Sequence, residues 1–414
     1  MEKQTILWIL LGIILLDFIV EEVLSYLNRK SSYRPLPNQF KDIYDEEKYQ
    51  KSLAYQRDKE KFSSITTVIS FVATLALLLT GGFGMIDGWL RAYTDNEVTL
   101  ALSFFAVLYF ASDLLTLPFQ LYNVFVIEEK YGFNKTTPKT FVLDKLKGYL
   151  LTIIFGGLLV GILIVLILFL GKDFWIYFWG VMVVFMLLAN LFYTSVIVPL
   201  FNKLTPLADG TLREAITKYS QGVNFPLTNI FVIDGSKRSS KANAYFSGLG
   251  KKKKIVLFDT LLEKHTEEEL VAVLAHEVGH YKKKHIIGSL VLGVLQTGVM
   301  LYLLSLLIFN SQVSFAMGGN ITAIHLNLLA FGILYSPVSR ILGILMNVLS
   351  RKNEFEADAY AAETYEAQPL ATALKKLSVD SLSNLFPHPW YVFVHYSHPP
   401  MLKRLERLES GSNA

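Results

Sequence analysis

Two histidines and a glutamate in the second half of the chain form the pattern His-Glu-x-x-His, at His276, Glu277 and His280. Residues four apart lie on one face of a helix, so both imidazoles can reach a single metal ion. The glutamate can hold a metal-bound water and take its proton. Zinc lowers the pKa of such a water to about 7, which supplies a nucleophile at neutral pH. The pattern therefore predicts a site for zinc-dependent hydrolysis of peptide bonds.

The residues before this pattern predict the helix that carries it. Thr266 to Glu269 reads Thr-Glu-Glu-Glu, which has the form of a capping box and marks the first turn of a helix. The alternative is that the two histidines are polar residues on an amphipathic helix that approaches a membrane span. A third ligand would favour the zinc site over this alternative, because catalytic zinc sites of this type use two His and one Glu and leave the fourth position to water or substrate.

An acidic cluster further along the chain supplies the candidate third ligand. Glu354 and Asp358 are four apart in a helix-forming stretch and share a face, whereas Glu356 points elsewhere. Glu354 can ligate the zinc, while Asp358 accepts a hydrogen bond from the outer nitrogen of a ligating histidine and fixes its orientation. Spacing alone leaves open that the cluster is a solvated helix face.

The composition indicates that these residues belong to a membrane protein. The chain has 414 residues, of which 52% are hydrophobic and 18% charged, and its mean hydropathy is +0.39. Such a chain is too apolar for an ordinary soluble enzyme. The net charge of +4 is small and the basic residues fall into separate clusters, which argues against nucleic-acid binding. Since the chain has no cysteine, a bound metal must be held by His and carboxylate side chains.

Seven apolar segments exceed the length of about 20 residues that a helix needs to cross a bilayer. They run from Thr5 to Leu27, Phe62 to about Leu90, Thr99 to Val126, Gly148 to Leu170, Phe174 to Phe201, His285 to Phe309 and Ala323 to Leu349. Lys and Arg gather in the loops after the first and third spans, whereas the loops after the second and fourth carry only Arg91 and Lys172. The positive-inside rule then predicts that the N-terminus lies outside, and that the C-terminus and all large loops lie in the cytosol.

The predicted spans divide the chain into four parts. Residues 1–201 hold spans one to five with cytosolic loops, 202–284 the cytosolic segment with the His-Glu-x-x-His helix, 285–350 spans six and seven, and 351–414 the candidate third ligand with a Ser-His-Pro-Pro motif. Spans six and seven cross the membrane twice, so the parts that bear the ligands are predicted to lie on the same side.

Two segments ahead of the metal-binding helix predict strands. Asn243 to Phe246 has the pattern of a strand with an exposed edge, and Ile255 to Phe258 is an apolar run of strand length. Extended peptides often bind proteases by adding a strand to such an edge. We assign Asn243, Ala244 and Tyr245 to substrate binding; the alternative is that they only complete a small sheet.

Beyond these local patterns, the chain strongly resembles the integral-membrane zinc proteases of the CAAX prenyl protease 1 family, which are found in the eukaryotic endoplasmic reticulum and in bacteria. The matching blocks follow the family order from the third span to the C-terminus. They are EEKYGFNKTT (Glu128 to Thr137), NAYFSG (Asn243 to Gly248), KIVLFDTLL (Lys254 to Leu262), the HEVGH helix, NEFEADAYA (Asn353 to Ala361) and HYSHPP (His395 to Pro400). Together these blocks are far more specific than His-Glu-x-x-His alone.

The resemblance implies a mainly α fold, in which seven transmembrane helices form a barrel around a large water-filled chamber. A cytosolic gluzincin-like zinc domain with a small β-sheet closes one end. The resemblance also implies Glu354 as the third zinc ligand, with Asp358 beside it. It assigns His398 to stabilising the oxyanion and places Arg404 nearby as a further catalytic side chain. A histidine held by the rigid Pro-Pro turn that follows it can donate such a hydrogen bond; the alternative is a loop histidine of structural value. We expect His285, His388 and His395 to be structural.

Two other classes of membrane protein share some of these features. A site-2-type intramembrane protease also has His-Glu-x-x-His but takes its third ligand from an aspartate in a later span. Here the only aspartates after the motif are Asp358 and Asp380, both beyond the final span. A non-enzymatic transporter or channel is suggested by the number of spans and by Asp113, an acid within the third span.

The substrate and the membrane are predicted in outline. Family members in eukaryotes cut the C-terminal tripeptide from prenylated proteins, and quality control of membrane or misfolded proteins is an equally plausible role. We therefore expect a peptide or protein substrate, prenylated or membrane-inserted, at a lipid bilayer. The absence of cysteine and of an ER-retrieval tail after Ser410 favours a bacterial family member in the plasma membrane over an ER protein.

Overall fold

The computed structural model describes residues 2–247 and 253–411, so Gly248 of the NAYFSG segment lies outside the described residues. The α-helices are α1 (Lys3–Ser32), α2 (Glu46–Leu79), α3 (Gly82–Arg91), α4 (Glu97–Tyr122), α5 (Pro138–Leu151), α6 (Gly157–Leu170), α7 (Phe174–Phe192), α8 (Val198–Phe201), α9 (Thr211–Gly222), α10 (Asp259–Leu262), α11 (Glu267–Lys282), α12 (His285–Leu307), α13 (Ser311–Ala316), α14 (Ile324–Thr364), α15 (Ala367–Asp380), α16 (Pro389–His395) and α17 (Met401–Gly411). The strands are β1 (Leu204–Pro206), β2 (Leu227–Ile233), β3 (Ala244–Ser247) and β4 (Lys253–Phe258). The fold is mainly helical, as predicted.

Within the described residues, five continuous helical segments are long and apolar enough to cross a membrane. They are Glu46–Leu79, Glu97–Glu128, Pro138–Phe201, His285–Leu307 and Ile324–Thr364. Only 6% to 22% of their most apolar windows is buried inside the protein. Apolar side chains that face outward in this way fit a lipid environment and not water.

The segment Pro138–Phe201 contains both the fourth and the fifth predicted spans. A 3₁₀ turn at Gly171–Asp173 interrupts it, and Gly171 has a φ of 57°, in the left-handed region that glycine adopts without strain. Helices α6 and α7 pack against each other on either side of this turn. The segment is therefore a helical hairpin.

The second predicted span, Phe62 to Leu90, is wrong as a single helix. Helix α2 ends at Leu79, and Gly81 takes a φ of 68° before α3 begins. The amide of Gly84 then donates to the carbonyl of Met317 over 3.1 Å, which ties α3 to the turn after α13. The chain turns here because Gly81 supplies a conformation that an apolar L-residue resists.

Helix α14 joins the membrane part to the metal-binding part of the molecule. Its 41 residues run without a break from Ile324 to Thr364, which corresponds to about 60 Å at 1.5 Å per residue. The apolar part contains the seventh predicted span, and the polar end carries Glu354 and Asp358. A single rigid element thus delivers the acidic cluster.

The four strands form one mixed sheet in the order β1-β2-β4-β3. Strand β2 pairs in parallel with β4, and β3 pairs antiparallel with β4, with Tyr245 opposite Val256. Both strands predicted from the sequence are present, and β3 lies at the edge. One face of α11 packs on the sheet through a core that includes Val271, Leu274 and Ile255.

Candidate metal centre

Helix α11 begins with the predicted capping box. The hydroxyl of Thr266 accepts from the amide of Glu269 at 3.4 Å, and the carboxylate of Glu269 accepts from the amide of Thr266 at 3.2 Å. Each bond satisfies an amide that the helix itself leaves without a partner. The cap fixes where the helix starts, and therefore which face carries His276 and His280.

Gly279 allows α14 to approach α11 closely. A Cβ atom at this position would lie 2.9 Å from Cα of Ala357, closer than Cβ atoms approach in proteins, and a tight 3.1 Å from its carbonyl oxygen. Position 279 therefore has no room for a side chain. The close approach brings Glu354, one turn before Ala357, to the two histidines.

The three predicted metal ligands meet in one cluster. Nε2 of His276 lies 3.2 Å from Nε2 of His280. The Glu354 carboxylate lies 3.5 Å from the first of these nitrogens and 3.3 Å from the second. One ligand atom from each residue falls within 4.8 Å of the others, so the group could hold a metal ion. Two imidazole nitrogens and a carboxylate oxygen are the donor set that catalytic zinc accepts.

The outer nitrogen of His276 contacts the predicted carboxylate. Its Nδ1 donates to Asp358 at 2.8 Å, which leaves Nε2 free to face the cluster. Asp358 in turn accepts two bonds from the Arg404 guanidinium, at 2.8 and 2.6 Å. Arg404 also lies 3.4 Å from Glu354 and is buried. Arg404 is therefore enclosed by two carboxylates, and its side chain is not exposed to a bound substrate.

The outer nitrogen of His280 contacts His285, which was expected to be structural. Nδ1 of His280 lies 3.0 Å from Nδ1 of His285, and Nε2 of His285 lies 3.1 Å from Glu356. When Nε2 of His280 faces a metal, the imidazole proton is on Nδ1, which donates a hydrogen bond to Nδ1 of His285. The proton of His285 is then on Nε2, which donates a hydrogen bond to Glu356. The chain of contacts fixes both tautomers.

The sequence gives only a faint signal for this pair. His285 follows His280 by five residues and Glu356 follows Glu354 by two, and neither spacing belongs to the motif. Lys284 holds a φ of 60° and separates α11 from α12, and this turn folds His285 back towards His280. Sequence patterns do not predict that a lysine adopts the left-handed backbone conformation.

Glu277 and His398 flank the ligand cluster. Burial raises the pKa of the Glu277 carboxyl, and the nearby Glu354 adds to this effect while His276 and His280 oppose it. A carboxylate with a raised pKa is a better proton acceptor near neutral pH. Nδ1 of His398 lies 2.9 Å from Glu354, and its side chain is 65% exposed. His398 is therefore the accessible member of the group.

The predicted substrate strand lies at the sheet edge. Asn243 precedes β3, and its carbonyl accepts from the amide of Phe258 at 3.1 Å. Ala244 and Tyr245 pair with β4 on one side, and within residues 2–247 and 253–411 no strand pairs with the other side of β3. The backbone groups on that side are the ones that an added strand would use.

Comparison with known proteins places the whole chain in one family. A model described as "CAAX prenyl protease N-terminal, five membrane helices" matches residues 25–203, and a model of Peptidase family M48 matches residues 206–412. The chain is 38% identical to the rice CAAX prenyl protease 1 homolog over 96% of both proteins, and 35% identical to the human homolog over 91% of this chain and 89% of that one. The crystal structure of S. mikatae Ste24p superimposes with a TM-score of 0.93 at 34% identity, covering 98% of this chain and 99% of that one.

These matches decide between the classes that the sequence left open. A peptidase model spans the His-Glu-x-x-His helix and the acidic cluster, which excludes a non-enzymatic transporter. The candidate third ligand is a glutamate and not the aspartate of a site-2-type protease. The chain belongs to the CAAX prenyl protease 1 family and is a membrane zinc metalloendopeptidase.

Proposed function

We propose that the protein hydrolyses peptide bonds at one zinc ion held by His276, His280 and Glu354. The observation that carries this proposal is the meeting of the three side chains, from two helices, with ligand atoms within 4.8 Å of one another. When bound, zinc supplies a Lewis acid and a water whose pKa lies near neutrality.

The remaining side chains have separate roles in this proposal. Glu277 accepts the proton of the attacking water and later passes it to the leaving amine. His398, the exposed donor beside Glu354, stabilises the negative charge that develops on the substrate carbonyl. Asp358, held by two bonds from Arg404, keeps His276 in the tautomer that presents Nε2. We thus infer that Arg404 acts by positioning and not by contact with the substrate.

We further propose seven crossings and a water-filled interior. The hairpin within Pro138–Phe201 accounts for two crossings, and α1 supplies another alongside the remaining four segments. Asp17 and Glu21 of α1 pair with Arg340 of α14, at 3.2 and 2.8 Å, between otherwise apolar stretches. These side chains keep roughly a third of their surface exposed. Charged groups so placed are costly against lipid, so their exposure supports a wet chamber.

The substrate is proposed to be a peptide or protein chain that binds along the free edge of β3, next to Asn243, Ala244 and Tyr245. The named relatives are CAAX prenyl proteases, which favours C-terminal processing of prenylated proteins over membrane-protein quality control. These relatives are eukaryotic, and our bacterial assignment stays a prediction. The membrane, plasma membrane or ER, stays a prediction in the same way, as does the absence of a nucleic-acid partner.

Metal analysis with peptidase assays tests the proposal. We expect the purified protein to contain one zinc per chain, to lose peptidase activity with a chelator and to regain it with added zinc. A C-terminal peptide should be assayed with and without an isoprenyl group. Activity that persists after complete metal removal would contradict the proposed mechanism, whereas equal cleavage of both peptides would contradict only the preference for prenylated substrates.

A further inference from the structure

The segment Glu128–Thr137, here called the juxtamembrane segment, has no role in the chemistry described above. It follows α4 and contacts the loop 238–243, here called the approach loop, which leads into β3. The amide of Lys135 donates to the carbonyl of Arg238 at 3.0 Å, and the amide of Ser240 donates to the carbonyl of Phe133 at 3.1 Å. The hydroxyl of Ser240 adds a bond to Gly132 at 3.0 Å. The end of a membrane helix is thus bonded to the base of the proposed substrate strand.

An ion pair closes this junction. The ammonium of Lys241 lies 3.1 Å from the Glu128 carboxylate and donates to the Tyr55 hydroxyl at 3.0 Å. That hydroxyl donates to the other oxygen of Glu128 at 2.9 Å. The ammonium also lies 4.2 Å from the ring centroid of Phe133, within the range of a cation–π contact. Tyr55 and Phe133 are buried, so two aromatic side chains shield the contacts between Glu128 and Lys241 from solvent.

The position of Glu128 depends on an unusual piece of helix. Residues Asn123–Glu128 form a π-helix, which shifts the direction of the side chains that follow it and is frequent at functional sites. Lys59 binds both of its ends, donating to Asn123 at 2.8 Å and to Glu128 at 3.2 Å. The π-helix therefore points Glu128 at the approach loop instead of along α4.

The approach loop is held from its other side by the zinc domain. The hydroxyl of Thr260 donates to the carbonyl of Lys241 at 3.0 Å, and the amide of Phe258 donates to the carbonyl of Asn243 at 3.1 Å. Lys241 stands two residues before Asn243. Its side chain is thus fixed to the membrane part while its backbone is fixed to the sheet.

We propose that Glu128 and Lys241 form a clamp that sets the position of β3 relative to the membrane helices, and thereby the path of the substrate backbone into the zinc site. Both are positioning residues. This inference rests on the proposed binding of substrate along β3. Within the described part of the chain, Glu128 and Lys241 contact neither the three proposed zinc ligands nor Glu277. Loss of the clamp should therefore impair substrate binding and leave the chemical step intact.

Steady-state kinetics on Glu128→Gln, Lys241→Met and the double variant test this. Each single variant should raise KM on the order of tenfold, as expected when a positioning group is lost, with kcat within about twofold and full zinc content. Because one clamp needs both residues, the double variant should be no worse than the more impaired single variant. Lys241→Arg, which keeps the charge, should recover most of the lost affinity.

Asp58→Asn is the matched control. It weakens two other contacts of the juxtamembrane segment, those of the Asp58 carboxylate with Lys130 and with the Tyr131 hydroxyl, each at 2.7 Å, and neither contact reaches the approach loop. An unchanged KM in Glu128→Gln, additive effects in the double variant, or an equal effect of Asp58→Asn would each overturn the clamp.

Hydrogen exchange separates the clamp from the proposed function. If Glu128 positions β3, amides of residues 238–247 should exchange faster in Glu128→Gln, and those of α11 should not. Should the wild-type protein prove inactive as a peptidase, the proposed function fails while this result still supports the clamp. Unchanged exchange in 238–247 with an active wild-type enzyme would overturn the clamp alone.

Discussion

Gly279→Ala should damage the metal site without touching a ligand. The added Cβ would lie 2.9 Å from Cα of Ala357 and 3.2 Å from Cβ of Tyr360, both on α14. The first contact must open to at least 3.4 Å, where ordinary van der Waals contact begins, a displacement of about 0.5 Å. Metal sites tolerate ligand distances within about 0.2 Å. Glu354, on the same rigid helix, would therefore be moved out of range.

The added methyl group changes the free energy of unfolding in two opposite ways. Alanine is the better helix former, and replacing a helical glycine gains about 1 kcal/mol. Forcing an extra carbon into a packed contact costs about 1–3 kcal/mol. The cost outweighs the gain, so the variant should be modestly destabilised but folded. Zinc affinity should fall on the order of 10- to 100-fold, the range that accompanies loss of groups that orient metal ligands.

Zinc affinity in a chelator-buffered titration and thermal unfolding, on the same preparations, measure the two effects. Gly288→Ala is the control, because no atom outside its own helix backbone and chain neighbours lies within 4 Å of a Cβ there. We expect this control to keep wild-type zinc affinity. Wild-type zinc affinity and turnover in Gly279→Ala would refute the claim that close helix contact builds the site.

Three further predictions concern the ligands and the topology. Glu354→Ala should lose zinc, since it removes a ligand, whereas Glu356→Ala should keep it, since all three ligands and the acceptor His285 remain; the opposite result, measured by metal analysis, would mean that the wrong carboxylate was assigned. His285→Phe should weaken zinc binding about 10- to 100-fold by leaving Nδ1 of the second histidine without an acceptor, and unchanged affinity would show that the contact is incidental. In this cysteine-free chain, single cysteines at the exposed positions Gln368 and Thr322 should react with an impermeant thiol reagent from the cytosolic side and from the opposite side respectively; labelling of both from one side would contradict the predicted orientation.

The local parts of the site could be predicted because short-range rules govern them. The capping box sets the start of α11 at Thr266, and the four-residue spacing puts His276 and His280 on one face. The acidic cluster was found because Glu354 and Asp358 repeat that spacing at the end of an apolar run. Each of these inferences needs only the period of a helix.

The features that the sequence does not predict depend on contacts between residues far apart in the chain. Helices α11 and α14 approach each other closely at Gly279, where the neighbour is Ala357, 78 residues away in the chain. No local sequence pattern predicts this contact. The role of His285 depends on the left-handed turn at Lys284. The sequence does not predict the break after Leu79, because the apolar composition continues through Gly81 and hydropathy does not report backbone conformation.

In the proposed mechanism, Glu277 acts as the base at a zinc site built by His276, His280 and Glu354. Zinc content and turnover of Glu277→Gln, measured on one purified sample, test it most directly. Glutamine keeps the size of the side chain but cannot take a proton, so we expect full zinc occupancy with peptidase activity reduced by about 10²- to 10⁴-fold or more. A variant that holds a full complement of zinc and turns over at the wild-type rate would show that Glu277 is not the base.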